Sequence, residues 1–321
     1  MWAALALAVL ACAPAAARAG NMRILVPAYF NPGAGGTEGQ TDGWAQLTES
    51  AGKVGVTAIF NPNDGPDSSA YPENAAAVSA FRRAGGKVVA YVYTGWGGMP
   101  IGVVESQIQA YLDQYPGLVD GFFVDAMSNH PADLSYYQAL YQFITARGAS
   151  FQVIGNPGAP TTESYLGAGA ADTLLTYEQS AAFYAAATPP GWVRGYSAAA
   201  FGAIVHAEPA VFGMVKDVAL AEGRRVGYLY VTDETMDPLS GSLYTRLPSY
   251  WNEEVAAVGA AAPEPGTMVL IASGLLAVAG TMRFGLLSQK RRFDRAAARA
   301  FEQPAALAPQ RVAAFRQTRR N

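Results

Sequence analysis

The sequence predicts an α/β fold, a (β/α)8 barrel of the TIM type in a single domain. Three observations predict it. Eight short apolar runs alternate with helix-like stretches between Ile24 and Val231, the pattern of a parallel sheet wrapped by helices. Eight is the number that closes such a sheet into a barrel. The runs also end on polar or aromatic residues, as they do where loops converge over a barrel mouth.

In order, the predicted strands are Ile24–Tyr29, Val56–Phe60, Lys87–Tyr93, Gly121–Asp125, Phe151–Gly155, Thr173–Tyr177, Gly202–His206 and Val226–Val231. The fourth organises the rest: Phe122-Phe123-Val124, entered through Gly121 and closed by Asp125, is a run of strong strand formers that delivers one carboxylate at its C-terminal end. Helices are predicted at Pro72–Arg83, Val103–Tyr115, Leu134–Arg147 and Pro209–Ala221, while Pro189-Pro190-Gly191 breaks the segment after the sixth strand. Leu247-Pro248-Ser249-Tyr250-Trp251 opens a closing helix that runs through Val258. An open, doubly wound sheet would need a phosphate loop after its first strand. Gly33-Ala34-Gly35-Gly36 lies there, without the spacing of a nucleotide-binding loop. No cofactor is expected.

Composition narrows the function. Of 321 residues, 51% are apolar and 15% charged, and the formal charge of −3 hides an asymmetry. Ten of the 22 basic residues lie from Arg283 onward, so residues 20–282 hold 11 basic against 23 acidic side chains, about −12. Such a body excludes nucleic acid and anionic polymers as natural ligands, because phosphate binding needs clustered cations. A neutral or cationic substrate fits. The single cysteine, Cys12, lies in the N-terminal apolar run, which leaves no disulfide or thiol chemistry after processing. His130 and His206 are the only histidines and have no metal-ligand spacing, so no metal site is expected. No G-x-S-x-G elbow is present either.

The chain ends carry addresses. Residues 1–19, apolar and closing on Ala17-Arg18-Ala19, read as a signal peptide. The barrel is expected over 20–259, a linker with Pro263-Glu264-Pro265 over 260–266, a transmembrane segment over 267–287, and a disordered basic tail over 288–321. Pro-Glu-Pro, an uncharged run and the Lys290-Arg291-Arg292 cluster together resemble a PEP-CTERM sorting signal. The resemblance implies export to the cell surface or beyond, a membrane partner through the C-terminal segment, and processing by a sorting transpeptidase.

The strand ends supply the candidate site. They read Tyr29 with Asn31, Asn61, Tyr93 with Trp96, Asp125, Asn156, Glu178, His206, and Thr232 with Asp233. Three of them share an Asn-Pro step (Asn31-Pro32, Asn61-Pro62, Asn156-Pro157), in which proline holds the preceding residue extended and can present each asparagine in a fixed direction. Turn chemistry explains the same step equally simply. Asp125 and Glu178 end the fourth and sixth strands, and two carboxylates across a sugar-sized cleft are the minimal machinery of a glycosidase. The competing readings are that Asp125 caps the helix beginning at Leu134 and that Glu178 is a surface residue opening the next helix. Tyr29, Tyr93, Trp96, Tyr177 and Trp192 are the candidates to stack on sugar rings, and His206 to bond a hydroxyl.

From Ile24 to about Val258 the chain resembles the spherulin four-like (spherulation-specific) family. The motifs that carry the resemblance are Val26-Pro27-Ala28-Tyr29-Phe30, Val119-Asp120-Gly121-Phe122-Phe123-Val124-Asp125, Gly155-Asn156-Pro157-Gly158, Thr176-Tyr177-Glu178 and Leu247-Pro248-Ser249-Tyr250-Trp251. It implies a barrel related to glycoside hydrolases that cut amino-sugar polysaccharides, with Asp125 and Glu178 as the matching acids. The family commonly has a second acid directly after the first of these, where this sequence has Ala126. Two expectations follow: an exported glycoside hydrolase acting on an exopolysaccharide substrate, or a non-catalytic carbohydrate-binding surface or matrix protein with a degenerate site.

Overall fold

A computed structural model describes residues 22–32, 42–239, 241 and 243–261. The expected signal peptide, transmembrane segment and basic tail lie outside them, as does the Pro-Glu-Pro of the expected linker, whose first residue, Ala260, instead ends the last helix. Among the described residues no helix is long and apolar enough to cross a membrane, and no cluster of three or more histidine, cysteine or acidic side chains is placed to hold a metal.

Eight parallel strands close into a barrel in chain order: β1 (Arg23–Ala28), β2 (Val56–Phe60), β3 (Lys87–Tyr93), β4 (Gly121–Asp125), β5 (Gln152–Gly155), β6 (Thr173–Ser180), β7 (Phe201–His206) and β8 (Tyr228–Val231). Around them run α1 (Gly43–Ser50), α2 (Pro72–Arg83), α3 (Ile101–Gln114), α4 (Leu134–Arg147), α5 (Ser164–Gly167), α6 (Ala181–Tyr184), α7 (Val211–Gly223) and α8 (Trp251–Ala260). The expected strands are all present, with ends moved by up to three residues. α1 has no counterpart in the sequence reading: its apolar stripe is only Trp44 and Leu47, and Asp42 caps it by accepting from Trp44 N. α5 and α6 are single turns of four residues, and the breaker Pro189-Pro190-Gly191 lies in the link from α6 to β7, which holds only short 3-10 turns at Gly191–Gly195 and Ala198–Ala200.

Strand β4 shows why these residues hold the centre. Phe122, Phe123 and Val124 are buried, and each full burial contributes about 1.5–3 kcal/mol. Gly121 is required by close approach: a Cβ there would strike the backbone of Gln152 on β5. Just before the strand, Asp120 accepts two bonds from Arg82 of α2 and one from Val88 N of β3, at 2.7–2.9 Å. Burial alone would raise the Asp120 carboxyl, but these donors outweigh it and hold it below the usual range.

The barrel closes through a short seam. β1 and β8 pair at only two positions, Arg23 with Tyr228 and Ile24 with Leu229. Above them Glu254 of α8 takes over the ladder, its Oε1 accepting from Val231 N at 2.7 Å. The Leu247–Trp251 motif fastens the same corner: Tyr250 Oη donates to Glu208 O and Trp251 Nε1 to Ser50 Oγ, 2.8 and 2.9 Å.

Candidate active site

The two acids are brought together by one side chain. Asn156, directly after β5, donates from Nδ2 to Asp125 Oδ1 at 2.7 Å and to Glu178 Oε2 at 2.6 Å. Its own Oδ1 accepts from Gly158 N at 2.9 Å, which fixes the amide. Gly158 adopts φ +61, a conformation glycine takes without strain, and its carbonyl accepts from Glu178 N. The Asn156-Pro157-Gly158 step is therefore both a turn and a ligand to the acids.

Each acid has a second, phenolic donor. Tyr91 Oη bonds Asp125 Oδ2 at 2.7 Å, and Tyr244 Oη bonds Glu178 Oε1 at 2.8 Å. Tyr29 lies between the phenols, edge-on to both rings at 5.7 and 5.8 Å. Burial, followed by the charges of Asp125 and Glu178, pushes the Tyr29 hydroxyl well up; burial first and neighbouring acids second do the same to Tyr91 and Tyr244. All three remain neutral O–H groups. Among the described residues the two ion pairs, Arg82 with Asp120 and Arg246 with Asp233, leave Asp125 and Glu178 to neutral donors alone.

Local backbone aims both acids. β6 carries a bulge between Leu175 and Tyr177, which sets Glu178 opposite Ile204 of β7 instead of Val205. Bulges re-aim side chains next to active sites in this way. Burial, the largest influence, raises the Glu178 carboxyl; the Asn156 bond opposes, the Asp125 charge adds and the Tyr244 bond opposes again, for a net rise. Asp125 does not cap α4, whose N-cap is Asp133, and Glu178 lies within β6 instead of opening a helix. Ala126 follows Asp125 with φ 45, and Trp96 with φ 55 donates its N–H to Ala126 O at 2.7 Å. Left-handed backbone at non-glycine residues is costly and clusters at functional sites.

The other expected site residues are distributed unevenly. Tyr93 ends β3 in register with Asp125, and its ring meets that of Trp96, which is 64% exposed on the rim. His206 ends β7 with Nδ1 buried and unpartnered among the described residues, and burial lowers its proton affinity. Asn61 is buried and accepts from Gly65 N, so it shapes its own turn. Asn31 lines a recess of about 400 Å³ with Pro62, Asn63 and Asp67, away from the acids. Tyr177 is not brought to this group. Strand alternation that turns Glu178 inward turns Tyr177 outward, where its ring meets that of Tyr184 at 4.7 Å, tilted by 56°, and its hydroxyl donates to Ser180 O. Trp192 packs with Tyr196 and Phe201. The Asp233 carboxylate is taken up by Arg246 and Ser249 N.

Sequence reasoning missed Tyr91 and Tyr244. Tyr91 had a signal, since it shares the alternation of Tyr93 on β3. Tyr244 had none, because it stands in the irregular link between β8 and α8 at φ 65.

Comparison with known proteins agrees with this architecture. Spherulin-4 of Physarum polycephalum is 29% identical over 253 residues, spanning 74% of this chain and 70% of the relative. The crystal structure of Aspergillus clavatus Sph3 in complex with GalNAc superposes with a TM-score of 0.61 at 20% identity, over 75% of this chain and 98% of Sph3; the likeness is one of fold. Residues 23–258 match spherulation-specific family 4, and the chain belongs to that family.

Proposed function

We propose that the protein is a glycoside hydrolase that cleaves glycosidic bonds in an amino-sugar-containing exopolysaccharide, with Glu178 as general acid and Asp125 as nucleophile or base. The observation that carries the reading is the shared Asn156 donor. An amide nitrogen splays its two N–H groups by about 120°, so bonds of 2.7 and 2.6 Å put the carboxylate oxygens roughly 4.5 Å apart. That is close to the ~5–5.5 Å spacing of retaining enzymes and short of the ~6.5–9.5 Å that an inverting enzyme needs for its water. The separation supports Asp125 as nucleophile. Glu178 gives its proton to the glycosidic oxygen as the C1–O bond breaks, and Asp125 bonds C1. Glu178 then takes a proton from water, which attacks C1 and releases Asp125.

The raised proton affinity of Glu178 supports its role as the acid. GalNAc bound to Sph3 supports an amino sugar as the recognised unit. Tyr93 and Trp96 then offer rim surface for stacking, and half-buried His206 at the end of β7 is the candidate to bond a hydroxyl. The reading extends to the whole chain: residues 1–19 direct export, 20–259 form the catalytic domain, 260–266 link it to a membrane segment at 267–287, and 288–321 form a basic tail. The apolar and basic runs of the sequence support a surface location and processing by a sorting transpeptidase.

Product release from a panel of amino-sugar polymers, with Asp125→Asn and Glu178→Gln beside the wild type, tests the reading. Oligosaccharides from the wild type alone support it, and no product from any polymer rejects it. Ala126 favours a second reading, a carbohydrate-binding protein that has lost an acid: polymer binding without turnover in the wild type, and turnover gained in Ala126→Asp, would favour that one.

A further inference from the structure

Among its described residues the connection from β8 to α8 has no helix or strand, yet its side chains are heavily bonded. Two consecutive acids at its start fold back onto its end. Asp233 Oδ1 accepts from Arg246 Nη1 at 2.8 Å and from Ser249 N at 3.3 Å. Glu234 Oε1 accepts from Thr245 N at 3.1 Å and from Thr245 Oγ1 at 2.6 Å. The residue next to Thr245 is Tyr244, whose ring packs against Tyr29 and Tyr230 at 5.8 and 6.3 Å. Its left-handed backbone, φ 65, is a conformation that persists only where the surroundings impose it. Glu234 is 7% exposed and its Oε2 is buried without a partner among the described residues. Such burial is costly, and what it secures is the placement of Thr245.

We propose that Asp233 and Glu234 form a clasp that holds Tyr244 Oη on Glu178 Oε1, making Tyr244, Glu234 and Asp233 positioning residues for that carboxyl. The catalytic meaning of the clasp rests on the reading of Glu178 as acid; the bonding itself does not. The groups that face Glu178 are Asp125 from β4, Tyr29 after β1 and Tyr244 from the connection. Tyr91 stands behind Asp125, Tyr230 behind Tyr244, and His206 ends the neighbouring β7. Of these, Tyr244 alone donates a phenolic hydrogen bond to Glu178. A hydroxyl that donates to a carboxylate favours its ionised form, so releasing Tyr244 lets Glu178 keep its proton to higher pH.

The test uses the full chain and two readouts: the pH dependence of kcat/KM on the best amino-sugar polymer, and an infrared titration of the Glu178 carboxyl with Glu178→Gln as spectral blank. Tyr244→Phe and Glu234→Ala are expected to move the alkaline midpoint up together, by about half a pH unit or more, roughly a threefold gain in proton affinity. Glu234→Gln, which keeps an acceptor oxygen for Thr245, is expected to retain the wild-type midpoint. The double variant Glu234→Ala/Tyr244→Phe is expected to match Tyr244→Phe alone, the non-additivity of residues acting through one bond. An unchanged midpoint in Glu234→Ala, or shifts that add in the double variant, overturns the clasp. If Glu234→Ala fails to fold, Thr245→Val, which loses the 2.6 Å hydroxyl bond, takes its place with the same expected direction and the same overturning result. A panel without turnover rejects the hydrolase alone, because the infrared midpoint still decides the clasp.

Discussion

Glu178 at the barrel mouth and Glu254 at the β1–β8 seam are both enclosed glutamates whose carboxyls burial pushes upward. Their surroundings differ in three respects. Glu178 has a donor on each oxygen, a second acid on the same Asn156 nitrogen, and an irregular loop supplying one of its partners. Glu254 is 0% exposed, has a single backbone donor, and leaves Oε2 unpartnered among the described residues. Burial raises proton affinity at both places, so a raised carboxyl by itself does not mark chemistry. The neighbouring acid and the polar donors distinguish the mouth. The seam glutamate replaces ladder bonds where β1 and β8 stop pairing after two residues.

The largest expected effect lies on the mouth side. Glu178→Gln is expected to cut turnover by roughly 10³-fold, the scale of a lost general acid, with a stability cost of about 1–2 kcal/mol, because Gln fills the space and accepts from Tyr244 but sets its amide N–H against the Asn156 donor. Asp125→Asn is expected to fall comparably in steady-state assays. Equal turnover in Glu178→Gln and wild type would erase the functional side of the comparison.

On the seam side the order of effects reverses. Glu254→Ala leaves the Val231 N–H buried without an acceptor and opens a cavity, for about 3 kcal/mol of lost stability in urea unfolding and little change in turnover per folded molecule. Glu254→Gln keeps the acceptor and should cost under ~1 kcal/mol. The pH dependence separates the two further. The folded carboxyl of Glu254 is raised above its ordinary 4.5, so the folded state binds the proton more tightly. Its contribution is complete below pH 4.5 and declines as pH rises toward the folded value. Wild type should therefore lose stability with rising pH above 4.5, by up to ~1.4 kcal/mol per unit, through a component that Glu254→Gln lacks. Identical slopes in the two proteins would mean that Glu254 is not held as the neutral acid.

The same contrast explains what was legible in the sequence. The barrel was, because strands of four to eight residues with polar C-terminal ends repeat along the chain; β2, β3, β4, α2 and α4 fall at the expected residues. The positions of Asp125 and Glu178 were legible too, since strand ends converge. What was not legible depends on contacts between distant segments. The role of Tyr244 follows from a loop 66 residues beyond Glu178, and Glu254 reads as an ordinary first-turn acid of α8 until Val231 is seen against it. Tyr177 misled for the opposite reason: adjacency to Glu178 in the chain means opposite faces in a strand.

The smallest effect sharpens the comparison at one backbone position. Ala126 has φ 45 next to Asp125, and left-handed backbone costs a residue with a Cβ about 1–2 kcal/mol. Ala126→Gly is expected to recover roughly 1 kcal/mol in urea unfolding, less the extra entropy that glycine gives the unfolded chain. Ala126→Asp, in a conformation that aspartate tolerates better than alanine, is expected to leave stability within about 0.5 kcal/mol. If the glycine variant gains stability and keeps its turnover, the turn after β4 is strained only by its alanine. If it gains stability and loses turnover, the left-handed turn is the device that fixes Asp125 against Asn156, and the strain belongs to the site in the same way that the buried acid of Glu254 belongs to the seam.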